Sequence, residues 1–367
     1  MEVNNSGNLN STLNLTLTWK EDGHRGEADY FSPFLILYLV VQIGMMVVGN
    51  FGNFLVISAV LLRGNLFTAG NVFIINLAVA DMTVTLVVNT FNVIGIIRTQ
   101  RFFLENVPLC DIVGAICMVS CTCSLWSIMG ISVNRFIYIC YNDLYKHLYN
   151  KQNTLIMVAC LWIACVLMDL PNFLGWGGHA YDSKSMVCTY DRTADYGYTI
   201  FFILMAICFP IVVVALSYTS VYIFVRRQKK RVMERMASSA ADSTKKFKKT
   251  DMQLIKTLFT IFVVFLVCWG PYAIIVLVDY KDRLPAIVHS CVIILAHGNS
   301  SLNSVLYGIL NKQFRKSYKK VLKRMCCWVN AQNDIGIDDS QTANDTVSWA
   351  NNTNVFIVQV KNTGFSN

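Results

Sequence analysis

Seven long apolar runs decide what this chain can become. They lie at approximately Phe34–Leu62, Val72–Ile97, Cys110–Val133, Thr154–Leu174, Tyr196–Val225, Leu254–Val278 and Ala286–Leu310. Each is long enough to cross a hydrocarbon core about 30 Å thick, which takes roughly 20 helical residues. Charge is almost absent from them, apart from Asp81 and groups near the ends. Lipid offers no partner to a backbone N–H or C=O, so each run must be helical. Composition agrees: apolar types make up 54% of the chain and charged types 14%, against about 25% charged in soluble proteins. That excludes a soluble domain, a disordered chain and a small disulfide scaffold. The expected fold class is an all-α membrane protein, a seven-transmembrane helix bundle with an amphipathic interfacial eighth helix.

Lysine and arginine set the orientation. The loop between runs five and six holds eleven of them from Arg226 to Lys256, and seven more follow run seven between Lys312 and Arg324. Both segments are expected on the cytoplasmic side. Seven crossings then leave residues 1–33 outside, where Asn4, Asn10 and Asn14 each open a glycosylation triplet. The triplet alone is weak, since Asn299-Ser300-Ser301 matches it inside run seven. No basic start followed by an apolar stretch marks a secretory signal, so run one is expected to insert as its own anchor. The expected organisation is a glycosylated tail (1–33), the bundle (34–310) with a mobile basic loop at about 226–253, an amphipathic helix (311–328) and a disordered cytoplasmic tail (329–367). On that helix Phe314, Tyr318, Val321, Leu322 and Met325 share one face opposite basic residues, as suits anionic inner-leaflet lipid. Cys326 and Cys327 follow as palmitoylation sites or as two unmodified thiols.

Polar residues inside the runs need a reason, because an ionisable group in lipid costs at least ~2.5 kcal/mol. Asp81 lies mid-run, with Asn53, Ser124, Asn299 and Asn303 at comparable depth. Such a set of oxygens suits a small hard cation or a proton, or simply holds helices together. Arg135, in Asn134-Arg135-Phe136, is either a snorkelling boundary residue or a switch beneath a cytoplasmic partner. Cys110 opens the same run 25 positions earlier, about 37 Å of helix. Cys188 lies in the exterior loop after run four, so a Cys110–Cys188 bridge is expected in an oxidising compartment. The other cysteines read as small apolar residues. No HExxH motif, P-loop or paired catalytic carboxylate occurs, and Gly175–His179 lacks a following helix to cradle phosphate. An enzyme is not expected, nor a nucleic-acid partner. No internal repeat points to a transporter.

These residues together resemble the rhodopsin-like (class A) G protein-coupled receptors, over about Phe34 to Met325. The marks come one per run and in order: Gly52-Asn53, Leu77-Ala78-Val79-Ala80-Asp81, Cys110 with Asn134-Arg135-Phe136, Trp162 and Pro171, Pro210 and Tyr218, Cys268-Trp269-Gly270-Pro271, and Asn303-Ser304-Val305-Leu306-Tyr307. Asn134 stands where the family has an acid, Phe136 where it has a tyrosine and Ser304 where it has a proline. The first departure removes a restraining carboxylate beside Arg135 and points to raised basal activity. Ser304, in place of the proline, softens the local kink.

Within that family the chain is similar to melatonin receptors. The similarity rests on Thr68-Ala69-Gly70-Asn71-Val72-Phe73, on Asn134 to Cys140, on Leu170-Pro171-Asn172, on Cys188-Thr189-Tyr190, on Asn299 to Asn303, and on Tyr307 to Asn311 with Phe314-Arg315-Lys316. The resemblance implies a small extracellular ligand, melatonin or a related indole, and activation of a heterotrimeric G protein of the inhibitory class. It also implies arrestin and receptor kinases as partners, a plasma-membrane location and an exterior N-terminus. Asn172 keeps the place of the asparagine that bonds the methoxy group, and Tyr190 that of the aromatic that stacks on the indole. Arg192 replaces a glutamine and Ala206 a histidine, and arginine prefers a carboxylate or phosphate. Arg192 is thus either a determinant for an acidic ligand or a solvated loop residue. The family's amine counter-ion position is Cys117 here. Its retinal lysine position is His297, which excludes a Schiff base there.

The expected ligand set is Cys117, Cys121, Asn172, Tyr190, Arg192, Ala206, Trp269 and His297. The expected switch set is Asn134, Arg135, Tyr218 and Tyr307. No cofactor is expected beyond an allosteric sodium ion at Asp81, Ser124, Asn299 and Asn303. The alternatives are a class A receptor for an acidic metabolite, lipid or peptide, and a ligand-independent receptor-like scaffold.

Overall fold

The computed structural model describes residues 33–62, 68–238 and 249–335. The triplets at Asn4, Asn10 and Asn14 lie outside the described residues, as do the side chains of Cys326 and Cys327. The described chain is almost entirely helical. In order it runs α1 (Pro33–Leu61), α2 (Ala69–Thr83), a π-helical turn (Val84–Val88), α3 (Asn89–Glu105), α4 (Val107–Cys140), α5 (Asn142–Leu148) and α6 (Lys151–Phe173). A two-stranded hairpin follows, β1 (His179–Asp182) and β2 (Val187–Tyr190). Then come α7 (Tyr196–Phe202), a second π-helical turn (Ile203–Cys208), α8 (Phe209–Ser238), α9 (Lys249–Val278), α10 (Ala286–Leu310) and α11 (Lys312–Ile335). Helices α2 and α3 with their π turn form the second span, and α7 and α8 with theirs form the fifth. The other spans are α1, α4, α6, α9 and α10. The described residues divide into two compact units, with the boundary between Val321 and Leu322.

Six of these spans are long and apolar enough to cross a membrane by length and composition alone. The seventh, α10, is 25 residues long but carries His289, Ser290, His297, Asn299, Ser300, Ser301, Asn303 and Ser304, all buried. Its polarity faces the other helices, which lowers its mean hydropathy without exposing a polar atom to lipid. The same inversion holds throughout. Large apolar side chains such as Leu37, Val47, Leu86, Ile112, Ile163, Leu216 and Ile274 are exposed, while Asn53, Asn76, Asp81, Ser124, Asn134 and Asn303 are buried. A surface that is apolar on so many helices suits hydrocarbon and not water. Span three, α4, is the central rod, with 67% of its apolar window buried against 22% for α1.

Close approach of helices depends on small residues. A Cβ added at Gly52 of α1 would overlap the Ser304 side chain of α10, and one at Gly70 of α2 would overlap the Arg135 guanidinium. Three spans meet at Asn76: its Nδ2 donates to Ser127 Oγ at 2.8 Å, and Trp162 Nε1 donates to its Oδ1 at 2.8 Å. The π turn at Ile203–Cys208 precedes Pro210, whose missing N–H leaves the Ala206 carbonyl without its usual helical donor.

Most span limits fall close to the sequence expectation, the second and third spans run on to Glu105 and Cys140, and four segments differ. The basic segment after run five was expected as a loop from about 226, yet α8 stays helical to Ser238 and α9 starts at Lys249. Helix α11 continues to Ile335, past the expected limit at 328. The link between α4 and α6 contains α5, and the link between α6 and α7 contains the hairpin. Its register pairs His179 with Tyr190 and Asp182 with Val187. The Cys110–Cys188 disulfide, with Cα atoms 5.3 Å apart, ties β2 to the start of α4.

Because Asn76 joins three spans, Asn76→Ala and Trp162→Phe should each lower thermal stability in detergent. The double variant should lose about 0.5–1.5 kcal/mol less than the sum of the singles. Strictly additive losses would show that the two side chains are not coupled.

Candidate functional site

Three polar layers are strung along α4 and α10. At the disulfide end, Cys117 and Cys121 of α4 and His297 of α10 line a small cavity of about 10 Å³ together with Trp269, Tyr272 and Phe202. Trp269 stacks near Phe265 and meets Tyr272 edge-on, with centroids 6.4 and 5.7 Å apart. One turn further along α4, Ser124 Oγ donates to Asp81 Oδ1 at 2.6 Å, and Asn303 Nδ2 of α10 donates to Asp81 Oδ2 at 2.8 Å. At the opposite end lie Asn134, Arg135 and Tyr307. Tyr307 is within electrostatic reach of Tyr218 and Arg135.

The hairpin closes the disulfide end. Tyr38 Oη donates to the Ser185 carbonyl at 2.9 Å, fixing the hairpin tip to α1. Lys184 Nζ donates to the Asp282 and Leu284 carbonyls at 2.6 and 2.9 Å, in the α9–α10 connection. Ser290 Oγ of α10 donates to the Lys184 carbonyl at 2.6 Å. Arg192 pairs with Asp182 at 3.4 Å and also with Asp282. Asp279 accepts from the backbone N–H groups of Arg283 and Leu284 and pairs with His289 at 2.9 Å.

These contacts set the charges. Burial alone raises the Asp282 carboxyl, but hydrogen bonds from Lys184 and Arg192 outweigh it and hold the group below its ordinary value. Asp279 behaves likewise: burial raises it, and His289 with the two N–H donors brings it down further. Burial lowers Arg192, and Asp182 with Asp282 more than reverses that.

The structure brings Cys117, Cys121, Trp269 and His297 together around the cavity, and Asp81, Ser124 and Asn303 around the carboxylate. Asn299 Oδ1 and Asn303 Oδ1 are buried without hydrogen-bond partners among the described residues. The Asp81 carboxylate, the Ser124 hydroxyl and the free Asn303 amide oxygen are donors of the kind a small hard cation takes. Other expected residues stand elsewhere. The Asn172 amide donates to Asp169 at 2.9 Å and to Tyr198 Oη at 2.7 Å, in a knot that includes His179, and it does not line the small cavity. Tyr190 is buried against Tyr198 and Phe202, with centroids 6.0 and 5.1 Å apart. Ala206 is buried in the π turn. Arg192 is not a solvated loop residue: its side chain is only 8% exposed and faces two carboxylates. A larger cavity of about 410 Å³ is bordered by exposed Val166, Leu170 and Phe173, so it opens on the outer face of the bundle, away from these layers.

At the arginine end, both amide atoms of Asn134, Arg135 Nε and Tyr307 Oη are buried without partners among the described residues. Arg135 lies over the Tyr138 ring at 5.9 Å. Tyr218 Oη accepts from Ser132 at 3.4 Å. Phe314 of α11 packs on Tyr307, with centroids 4.9 Å apart, and Tyr318 Oη donates to the Ser304 carbonyl at 3.1 Å. Leu322 and Met325, further along that face, are exposed.

Seven helices and this layered polar interior agree with the family match. The family of 7 transmembrane receptors (rhodopsin family) matches residues 52–307, and the chain belongs to it. Within the family it is a melatonin-receptor-like G protein-coupled receptor. It is 33% identical to melatonin receptor type 1B-B of Danio rerio over 288 residues, covering 77% of this chain and 80% of the relative. Against melatonin receptor type 1C of Xenopus laevis the identity is 31%, covering 88% and 75%. Against melatonin receptor type 1A of Mus musculus it is 30%, covering 87% and 89%. The fold also matches squid rhodopsin at a TM-score of 0.69 with 21% identity, covering 89% of this chain and 95% of that one. Membership makes the chain a multi-pass membrane protein of a receptor family, with a small-molecule ligand and a G protein as implied partners.

A carboxylate held below its ordinary value stabilises the fold above that value and loses the contribution as pH falls through the folded value. For Asp282 the ordinary value is 3.8, so the loss falls below about pH 4. The melting temperature of the purified receptor should drop as pH goes from 5 to 3, and Asp282→Asn should show a smaller drop. Equal drops would mean that the loop ion pairs do not hold this end together.

Proposed function

We propose that the chain is a plasma-membrane receptor, with its N-terminus and hairpin outside, for melatonin or a related indole, and that it signals through an inhibitory G protein. The observation that carries this reading is the 30–33% identity to melatonin receptors across most of the chain. The layered polar interior supports it physically. Ligand in the outer cavity acts on Trp269 and on α4 and α10. These two helices also carry Ser124 and Asn303 beside Asp81, and Arg135 and Tyr307 at the far end. A ligand favouring one arrangement of these layers shifts a pre-existing equilibrium by its differential affinity. Pro271, inside α9, supplies the hinge. The unpaired polar atoms of Asn134, Arg135 and Tyr307 gain partners when the inner cleft takes up a G protein.

A sodium ion, when bound, would be held by Asp81, Ser124, Asn299 and Asn303 and would supply the positive charge that the buried carboxylate lacks. The exposed face at Leu322 and Met325 suits membrane lipid, and arrestin and receptor kinases would share the cytoplasmic side.

Two features favour a second ligand within the indole class or close to it. Arg192 stands in place of the family's glutamine, and Ala206 in place of its histidine. The pairing of Arg192 with Asp182 and Asp282 leaves it no free charge for an acidic ligand, which weighs against that alternative.

In cells expressing the chain, melatonin should suppress stimulated cAMP in a manner blocked by pertussis toxin. Suppression by another small ligand, with melatonin silent, would move the assignment to that ligand. No response to any ligand would favour the scaffold reading. Sodium should weaken agonist binding to the wild type, and Asp81→Asn should abolish that sensitivity. Unchanged sensitivity in the variant would reject the sodium role.

A further inference from the structure

Nine free cysteines lie among the described residues, and two of them face a histidine. Cys117 and Cys121 sit one turn apart on α4, opposite His297 of α10. One ligand atom from each of the three lies within 4.8 Å of the others. All three residues are buried. We propose that Cys117, Cys121 and His297 bind one zinc(II) ion that fastens the third span to the seventh.

Distance, space and charge all support this site. Zn–S bonds of about 2.3 Å and Zn–N bonds of about 2.0–2.1 Å at a tetrahedral angle put sulfur and nitrogen about 3.5 Å apart. Cys117 Sγ and His297 Nε2 are 3.5 Å apart. The adjoining cavity of about 10 Å³ has room for roughly one water-sized occupant. It suits an ion and its one remaining ligand better than a closed apolar core does. Binding forms two Zn–S bonds and one Zn–N bond and releases both thiol protons to solvent. The ion's two positive charges meet two thiolates, so the buried complex is neutral, which a low-dielectric interior tolerates.

The ring is also held from behind. His297 Nδ1 faces the Asn92 side-chain amide at 3.5 Å, and Asn92 Oδ1 is buried with no partner among the described residues. With Nε2 on the metal, Nδ1 carries the proton. An Asn92 amide turned by 180°, which has the same shape, accepts that proton on Oδ1 and fixes the tautomer. The fourth coordination position is left for water or a donor atom of a ligand. Asp279, Asp282 and His289 form a second triad of comparable spacing. Its carboxylates are already engaged by Lys184, Arg192 and two backbone N–H groups, so a cation there would have to displace them.

The test uses the full-length receptor purified under reductant without a histidine tag, and needs neither agonist nor G protein. Its failure is therefore separate from failure of the receptor reading. Titration with cobalt(II) should give a thiolate-to-cobalt charge-transfer band that saturates at about one equivalent and is abolished by zinc(II). Cys121→Ser and His297→Ala should each weaken cobalt binding by at least about tenfold. Cys160→Ser with Cys291→Ser, at exposed positions, should leave it unchanged. X-ray absorption of the zinc-loaded wild type needs no variant to fold, and should show two sulfurs at about 2.3 Å with nitrogen at about 2.0 Å. Absence of the band, its survival in either ligand variant, or a zinc shell without sulfur would overturn the proposal.

Discussion

The bilayer's inability to hydrogen-bond governs this molecule. Every polar side chain carried by a spanning helix must find a partner inside the bundle. The chain answers that demand by turning its polarity inward on each span, where atoms of Asn134, Arg135, Asn299 and Tyr307 are buried without partners among the described residues and the pairs named next are bonded. Asn76, Asp81, Ser124, Ser127 and Asn303 bond to one another across helices, while leucine, isoleucine and valine cover the outside. Cross-helix bonds of this kind are individually modest, averaging about 0.6 kcal/mol. Their consequence is geometric. They fix which faces meet, and so they place Cys117, Ser124 and Arg135 of one helix in register with His297, Asn303 and Tyr307 of another.

The disulfide end is built on a different principle. There, water is close and charge can be used. The hairpin is covalently tied to α4 and is then held by hydroxyl donors from Tyr38 of α1 and Ser290 of α10, and by ion pairs and carbonyl acceptors on the connection before α10. Lys184 and Arg192 bridge residues roughly 90 to 100 positions apart in sequence. The result is a closed end over a nearly filled cavity. An organic ligand the size of an indole needs this end or the cavity walls to move. A metal ion needs neither, and the proposed zinc site borders the same space as the proposed ligand site.

The seven spans were legible because length and apolarity are local properties. The seventh was legible only by its place in the series: its buried histidines, asparagines and serines dilute the apolar signal that marks the other six. Cys110 and Cys188 could be paired from orientation alone. The π turns, the hairpin and α5 were not legible, because local periodicity does not report a single inserted residue or a short strand pair. Arg192 was the instructive case. Its residue type left two readings open, and the structure removes the solvated one, since the carboxylates that face it come from β1 and from the distant α9–α10 connection. Asn172 stands at the end of span four as the sequence indicates, but its bond to Tyr198 joins it to α7, a contact between spans that local sequence does not report. The helices at 226–238 and 329–335 are not legible, because a basic or polar sequence reads as a loop while helices that leave the membrane tolerate charge.

The account as a whole requires an odd number of crossings that puts the hairpin and Arg135 on opposite sides of the membrane. Single cysteines introduced as Lys281→Cys, Lys146→Cys and Lys316→Cys, all at exposed positions, can be probed in intact cells with an impermeant thiol reagent. Position 281 should label directly, and positions 146 and 316 only after the membrane is opened. Labelling of 146 or 316 from outside, or protection of 281, would contradict the bundle on which every layer described here depends.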